Sequence, residues 1–217
     1  GGRCVEVPGL ETVPAALHVR TYPVVQRGRW VWVWMGDPAR ADEALISDDF
    51  SIKHAAWPYR PGYMRTAANY LLICDNLLDF SHLSYVHEKT LGGSDKIAQA
   101  RPTIEALAHG LHVSRRVGEV AAPAFYRRMR TFTTSLDRWF IYDFLLMHSG
   151  GRPCGAASAL AVDDPTQPTA DSVNLHSCQT LTPETEHTTH YFFQQSCRAD
   201  QGDAALAQTI YDSLLAA

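Results

Sequence analysis

Short apolar runs separated by polar turns dominate the hydrophobic pattern of this chain, and such spacing is typical of antiparallel strands. Two runs come early, at 17–25 and 30–35, with a turn at Gly28 between them. The later runs predict strands at 103–106, 110–117, 127–134, 138–147, 156–162, 172–180 and 188–197. The last two flank TPETEH, a polar connection typical of a hairpin.

The run RWVWVWM at 29–35 is apolar on both faces of its predicted strand. Alternation places three tryptophans on one face and two valines and Met35 on the other, so we expect cover on both sides. The stretch after it, GDPARADEALISDD, is polar, carries Pro38 and is typical of a linker. We therefore expect one domain in residues 1–40 and a second in residues 41–217.

Helical periodicity occurs in two places. Residues 69–84 predict a long helix, and a closing helix begins near Asp203. The order is strands, a helix, a run of antiparallel strands and a helix, which indicates an α+β fold rather than alternating βαβ units.

The predicted helix carries a polar stripe on an otherwise apolar surface. At about 100° per residue, its polar side chains share an arc of roughly 140°. They are Asn69, Asp75, Asn76, Asp79 and His82. A helix that is apolar on its other sides is usually buried, so the stripe faces either water or a buried polar site. Buried carboxylates pair, bind metal or take up a proton.

Two histidines near the end of this helix are candidate metal ligands. His82 and His87 would diverge by about 140° on a continuous helix, so they converge only if the helix ends or distorts between them. We expect this at 84–86. Two imidazoles and one carboxylate form the facial triad of non-heme iron(II). A core histidine without a ligand role is the alternative, but Asn76 and Asp79 beside the pair favour a metal site.

Composition excludes several classes. The chain is 46% hydrophobic with a formal charge of −4, and no basic stripe suggests nucleic-acid binding. No apolar run is long enough for a membrane span, and no secretory signal is visible. Five cysteines without a CxxC pair favour buried thiols and a cytoplasmic location. The first residue is not methionine, and the last residues, DSLLAA, resemble a helix without a stop signal, so we expect both ends to continue in a longer protein.

The stretch NYLLICDNLLDFSHLSYVH closely resembles the mononuclear-iron motif of Rieske-type non-heme iron oxygenases. The likeness is to the catalytic subunits of the branch that includes vanillate O-demethylase, dicamba O-demethylase and toluenesulfonate methyl-monooxygenase. GGRCVEVPG resembles the segment just after the second Rieske cluster motif, and VWVWMGDP resembles the end of the Rieske domain. LTPETEHTTHYFF resembles the late hairpin of the catalytic domain.

The resemblance implies specific roles. His82 and His87 match the two iron-ligating histidines, and Asn76 matches an asparagine near the iron. Asp79 matches the aspartate that connects the iron to the cluster of a neighbouring subunit. The third ligand would be an aspartate a few residues beyond Ala217, because Asp212 matches a non-ligand position.

The implied fold is a helix-grip domain, an antiparallel sheet wrapped on a long helix, preceded by the last strands of a Rieske domain. The implied cofactors are a mononuclear Fe²⁺ and a 2Fe-2S cluster whose CxH and CxxH ligand motifs are absent from this chain. The implied partners are O₂, a small aromatic substrate, an NAD(P)H-dependent reductase and, as a homotrimer, further copies of the protein.

Other histidines are weaker candidates. His176 and Gln179 are predicted to line the substrate cavity, whereas His187 and His190 are not ligands in the resemblance. Two other functions remain open from the residues. One is a non-catalytic helix-grip binder of a small apolar ligand. The other is a zinc hydrolase, which the absence of a general base such as the glutamate of HExxH disfavours.

Overall fold

The computed structural model describes residues 2–28, 30–46, 57–92, 94–108, 110–149, 152–160, 172–197 and 204–215. It divides into two compact units. The first comprises residues 1–46 with 149–152, and the second comprises 47–148 with 153–217.

The first unit contains a two-stranded antiparallel hairpin of β1 (Val24–Arg27) and β2 (Trp30–Val33). Of the strand predicted at 17–25, only residues 24 and 25 lie in β1, and the remainder is mostly irregular. The expected cover on both faces of 30–35 is wrong for the described residues, because Val31 is 65% exposed and Met35 is also exposed. Two 3₁₀ turns follow, Pro38–Arg40 and Glu43–Leu45, each capped by an aspartate side chain.

The second unit is built on one seven-stranded sheet in the order β3-β9-β8-β7-β6-β5-β4. Its strands are β3 (Tyr59–Thr66), β4 (Thr103–Leu107), β5 (Gly110–Val120), β6 (Leu136–Ser149), β7 (Arg152–Leu160), β8 (Leu175–Pro183) and β9 (Thr189–Cys197). The predicted hairpin is confirmed, since β8 and β9 pair antiparallel. β3, which the sequence left unassigned, pairs with β9 and forms one edge.

Within the described residues, four helices accompany the sheet: α1 (Tyr70–Leu78), α2 (Lys96–Gln99), α3 (Ala124–Met129) and α4 (Ala204–Leu215). The strand predicted at 127–134 is wrong, because this region begins inside α3. Pro123 precedes that helix in an extended conformation, and Phe125 and Tyr126 bury against Cys197. The predicted α+β order is otherwise confirmed.

The main core lies between the sheet and the segment that follows α1. Its buried members are Phe80, Leu83, Ile97, Val113, Val117, Val120, Phe140 and Tyr142. A second cluster packs Ile73 and Cys74 of α1 against Leu181 of β8, which fixes the helix on the sheet. No helix in the described part of the chain is both long and apolar enough to cross a membrane.

Candidate metal centre and substrate cavity

Helix α1 is fixed at its start by contacts with the β8–β9 hairpin. The Asn69 side chain caps it, accepting from the Leu71 N–H at 2.9 Å and donating to the carbonyl of Glu186 at 2.9 Å. The Thr189 hydroxyl donates to the carbonyl of Ala68 at 2.9 Å. The helix that carries Asn76 is thereby held against the sheet.

The helix ends at Leu78, six residues earlier than predicted, because Asp79 forms a local turn. Asp79 has an extended ψ of 97°, and its carboxylate accepts from the Ser81 N–H at 2.8 Å and from the Ser81 hydroxyl. A short acidic side chain that bonds two residues ahead offers the backbone an alternative to the helix. A 3₁₀ turn, Ser81–Ser84, follows. We call residues 79–92 the histidine segment.

The histidine segment brings His82 and His87 together. Their ring centroids lie 5.2 Å apart with an interplanar angle of 70°. The His82 carbonyl accepts from the N–H groups of Tyr85 and Val86, so a turn starts at that residue. The His87 carbonyl accepts from Thr90 and Gly92, so a second turn starts there. The convergence expected at 84–86 is produced by two consecutive turns instead of a continuous helix.

Ser84 holds the histidine segment to its surroundings, and Gly92 packs closely against Leu83 within the segment. The buried Ser84 hydroxyl donates to the Ser94 carbonyl at 2.9 Å and accepts from the Ala98 N–H at 3.1 Å. Gly92 lies so close to the backbone of Leu83 that a Cβ atom at this position would stand 1.9 Å from the Leu83 carbonyl oxygen. Any side chain larger than hydrogen at residue 92 would therefore displace the segment.

Local electrostatics favour neutral imidazole at His87 and an ionised carboxylate at Asp79. Burial lowers the pKa of His87, and the nearby His82 lowers it further. Neutral imidazole is the form that binds metals. The hydrogen bond from the Ser81 hydroxyl is the main cause of a lowered pKa for Asp79, to which His82 and Arg115 contribute.

A cavity of about 490 Å³ opens beside the histidine pair. Its lining is mostly apolar. The polar residues in the lining include Asn76, His82 and His87, and of these Asn76 is exposed to solvent. Aromatic rings of Phe125, Tyr126, Trp139, Phe140, Tyr142, Tyr191 and Phe193 form much of the wall. The described residues that line it include no aspartate and no glutamate. This combination of apolar walls and few polar groups is typical of a small-molecule site.

One side of the cavity is a hydrogen-bonded row on β8 and β9, which we call the polar strand wall: Ser177, Gln179, Tyr191 and Gln195. The Tyr191 hydroxyl donates to Gln179 Oε1, and Gln179 Nε2 donates to Ser177 Oγ at 3.0 Å. Gln195 Nε2 donates to the same Oγ at 2.8 Å. Ser177 thus accepts two amide donors in a buried position. Burial raises the pKa of Tyr191 above its ordinary value, so its phenol stays protonated and able to donate.

The predicted pair of His176 and Gln179 is divided between the two faces of β8. Residues three apart on a strand point to opposite faces, so the two cannot line one cavity. Gln179 lines the cavity, whereas buried His176 is absent from its wall and has its ring 6.4 Å from that of Trp57. The prediction that His176 lines the cavity is therefore corrected. Strand alternation points instead to Ser177, which the sequence analysis missed.

Arg138 is a second lining residue that the sequence analysis missed. It is 4% exposed, and its guanidinium donates to the carbonyls of Leu91 and Gly92 at 2.9 and 2.8 Å. Those carbonyls end the histidine segment, so β6 supports it directly. The signal in the sequence is an arginine at the start of the largely apolar predicted strand 138–147.

The remaining predicted candidates lie elsewhere. Asp212 of α4 is exposed and accepts from Gln208 at 2.7 Å. His187 is exposed, and His190 Nδ1 is 2.9 Å from the Tyr63 hydroxyl oxygen. Among the described residues, no group of three or more His, Cys, Asp or Glu side chains is placed to hold a metal ion. The candidate donor set in this part of the chain is thus the two histidines.

The sheet, the helix and the cavity with two histidines define a helix-grip domain with a candidate metal centre. Residues 66–217 match the family described as the vanillate O-demethylase oxygenase C-terminal domain. This match covers most of the chain, and the protein belongs to that family. The predicted resemblance is therefore confirmed.

Individual relatives agree with this assignment. The chain is 39% identical over 224 residues to the toluene-4-sulfonate monooxygenase system iron-sulfur subunit TsaM1 of Comamonas testosteroni, matching 100% of this chain and 63% of that protein. It is 31% identical over 197 residues to the dicamba O-demethylase oxygenase component of Stenotrophomonas maltophilia, and the match covers 90% of this chain and 56% of that protein. The chain thus spans less than two thirds of the length of these relatives.

Solved structures support the fold. The crystal structure of dicamba monooxygenase bound to 3,6-dichlorosalicylic acid superposes with a TM-score of 0.84 at 27% identity, covering 100% of this chain and 62% of that chain. The predicted α+β helix-grip fold is confirmed by this similarity.

Proposed function

We propose that this chain is part of the terminal oxygenase component of a Rieske-type non-heme iron monooxygenase that demethylates or hydroxylates a small aromatic substrate. Residues 1–40 would be the last part of its Rieske domain, and residues 41–217 would belong to its catalytic domain. The observation that carries the proposal is the pair of imidazoles 5.2 Å apart in the wall of an apolar cavity, in a chain of this family.

The residues present fit a mononuclear iron site. His82 and His87 would hold the metal, because two imidazoles on one side of an ion leave positions for a carboxylate and for dioxygen. The lowered pKa of His87 keeps that ring in the ligating form near neutral pH. Bound iron would supply dioxygen activation for the insertion of one oxygen atom into a methyl C–H bond.

The protein's own side chains would bind the substrate and exclude water. The aromatic rings of the cavity suit a flat ligand, and the polar strand wall offers hydrogen bonds that orient a polar substituent. Asn76 lies in the wall beside the histidines. Asp79, held ionised by Ser81, would carry electrons or protons between the iron and the cluster of a neighbouring subunit.

The proposed protein needs further components. A 2Fe-2S cluster would receive electrons from an NAD(P)H-dependent reductase and pass them to the iron, in a cytoplasmic homotrimer. The relative named as an iron-sulfur subunit supports the cluster. The family supports a reductase partner in general terms, and the trimer, the nicotinamide cofactor and the cytoplasmic location are part of the proposal.

The direct test is iron content in the full-length protein that contains this chain. His82→Ala and His87→Ala are each expected to abolish iron loading, and His190→Ala, outside the cavity, serves as the matched control. Asp79→Asn should keep most of the iron but lose turnover, measured as oxygen-dependent formaldehyde release from an aryl methyl ether with the native reductase. Unchanged iron in both histidine variants would refute the metal site, and normal turnover of Asp79→Asn would refute its relay role.

A further inference from the structure

Arg138 joins a strand of the sheet to the end of the histidine segment. The residue lies on β6 and is almost completely buried. Its Nη2 donates to the carbonyl of Leu91 at 2.9 Å, and its Nη1 donates to the carbonyl of Gly92 at 2.8 Å. Within the described part of the chain these two carbonyls are its hydrogen-bond acceptors, since the enclosed Nε has none. The donors that the guanidinium uses are therefore all directed at the histidine segment.

The peptide group between Leu91 and Gly92 connects Arg138 to His87. Its carbonyl accepts from Arg138, and its N–H donates to the carbonyl of His87 at 2.9 Å. A peptide group is planar, so its two polar ends keep a fixed position relative to each other. Hydrogen bonds in such a row also polarise and strengthen one another. The backbone of His87 is thus tied to β6 through one rigid unit.

Two aromatic rings fix the position of the guanidinium. Its central carbon lies 4.7 Å from the ring centre of Phe140 and 5.1 Å from that of Tyr126. Contacts of this kind are favourable for a cation, and the planar fork of arginine presents its donors in a fixed arrangement. A lysine at this position would keep the charge but not the fork. Arg138 is therefore a rigid connection as well as a buried charge.

A different element holds His82. This residue lies in the 3₁₀ turn Ser81–Ser84, and the Ser84 hydroxyl bonds to the Ser94 carbonyl and to the N–H of Ala98 in α2. The two imidazoles, whose ring centres are 5.2 Å apart, are thus anchored from α2 on one side and from β6 on the other. The separation of the rings depends on both anchors.

We propose that Arg138 is a positioning residue for His87, which fixes the His87 imidazole relative to that of His82 and thereby sets the affinity and geometry of the metal site. The inference rests on the proposed function in taking these two histidines as metal ligands. Groups that orient the ligands from behind are typically worth about 10- to 100-fold in metal affinity.

The sign of the effect separates positioning from simple electrostatics. A positive charge beside the site repels a metal cation, so the removal of charge alone would tighten metal binding. Loss of a positioning group instead weakens metal binding, because the imidazole is no longer held in its binding orientation.

Binding of Co²⁺ to the full-length protein tests the proposal. A chelator removes the mononuclear metal, the iron-sulfur cluster is kept oxidised and therefore diamagnetic, and Co²⁺ alone is titrated in chelator-buffered solution. Arg138→Ala should bind Co²⁺ about tenfold more weakly or more, with an altered EPR spectrum of the bound ion. Arg115→Ala is the matched control, because this buried arginine donates to the carbonyl of Ile97, outside the histidine segment. It should keep the affinity and the spectrum, even if urea denaturation shows a similar loss of stability.

Chemical rescue distinguishes positioning from a general effect on folding. Ethylguanidinium has the shape of the group that Arg138→Ala removes, whereas ethylammonium has the same charge without the fork. The first should restore the Co²⁺ affinity and spectrum of Arg138→Ala, and the second should not. Arg138→Lys should also bind Co²⁺ more weakly than the unaltered protein, and it provides the test if Arg138→Ala fails to fold.

Several outcomes would overturn the proposal. They are unchanged or tighter Co²⁺ binding in folded Arg138→Ala or in Arg138→Lys, an equal change in Arg115→Ala, and equal rescue by the two cations. If His87→Ala weakens Co²⁺ binding and the Arg138 variants do not, this inference fails while the proposed metal site stands. If His87→Ala binds Co²⁺ as tightly as the unaltered protein, the proposed metal site fails and this inference fails with it.

Discussion

The histidine segment and the polar strand wall face the same cavity but are built in different ways. The histidine segment is irregular, and its shape depends on single contacts such as the Asp79–Ser81 turn and the close approach of Gly92 to Leu83. The polar strand wall is regular, and antiparallel pairing places its side chains opposite each other, as with Ser177 and Gln195.

The two regions are therefore expected to respond differently to amino-acid substitutions. Side chains of a regular strand alternate between its two faces. The same positions therefore continue to face the cavity when one side chain is replaced. The histidine segment has no repeating hydrogen-bond pattern to restore its shape. We therefore expect substitutions in the segment to move the metal ligands, and substitutions in the wall to change stability or ligand contacts without moving them.

The largest effect is expected for Gly92→Ala. The added methyl group would meet the Leu83 carbonyl at 1.9 Å, and overpacking against backbone should cost about 3 kcal/mol of unfolding free energy. Iron content should fall as well, because the second turn starts at His87 and ends at this glycine. Urea denaturation and metal analysis measure the two effects.

Gly118→Ala is the control for Gly92→Ala. Its added methyl group would meet a side-chain atom, Asp137 Oδ1, at 3.2 Å, so we expect less than about 1 kcal/mol. Equal stability and iron content in the two alanine variants would contradict the importance of the close approach.

A smaller effect is expected for Ser177→Ala in the polar strand wall. The substitution leaves the amide donors of Gln179 and Gln195 without their shared acceptor, which should cost about 1–2 kcal/mol. Iron content should remain normal, because the wall does not carry the histidines. Ser196→Ala, which removes one buried hydrogen bond to the His176 carbonyl, should cost less. Loss of iron in Ser177→Ala would remove the distinction between the two regions.

The smallest effect is expected at Asp137, which belongs to neither region. Hydrogen bonding from Arg116 is the main cause of its lowered pKa, followed by the N–H of Glu119. A carboxylate with a lowered pKa stabilises the folded state above the ordinary value of about 3.9 and loses that contribution as pH falls through the lower folded value. Asp137→Asn should thus destabilise by less than about 1 kcal/mol at pH 7 and by nearly nothing near pH 2. Denaturation at both pH values checks the sign, and a difference that grows in acid would contradict it.

Sequence periodicity predicted much of the sheet, because half-buried antiparallel strands leave a pattern of alternation. It also predicted both long helices and the hairpin. It failed at 127–134, where Phe132 and three threonines resemble a strand but burial of Phe125 and Tyr126 favours a helix nearby. It also failed at β3, since Pro61 and Gly62 obscure a strand whose partner β9 is distant in the chain.

For the site, the motif indicated the histidine pair but not the way it is assembled. The predicted helix extended past Asp79, because helix propensity alone does not reveal that the Asp79 carboxylate accepts a hydrogen bond from the Ser81 N–H. The metal role of His82 and His87 stays a prediction, as do the roles of Asn76 and Asp79. The cavity residues on β6, β8 and β9 follow from pairing across the sheet, which a single sequence does not specify.

The anchoring of α1 has a consequence for how the protein folds. The hydrogen bonds at the start of this helix join residues 117 and 121 positions apart in the chain. Contacts between such distant residues form slowly, because a long loop must close first. Local turns can order early in folding, yet the helix that leads into the proposed iron site acquires its final place only when the last strand joins the sheet.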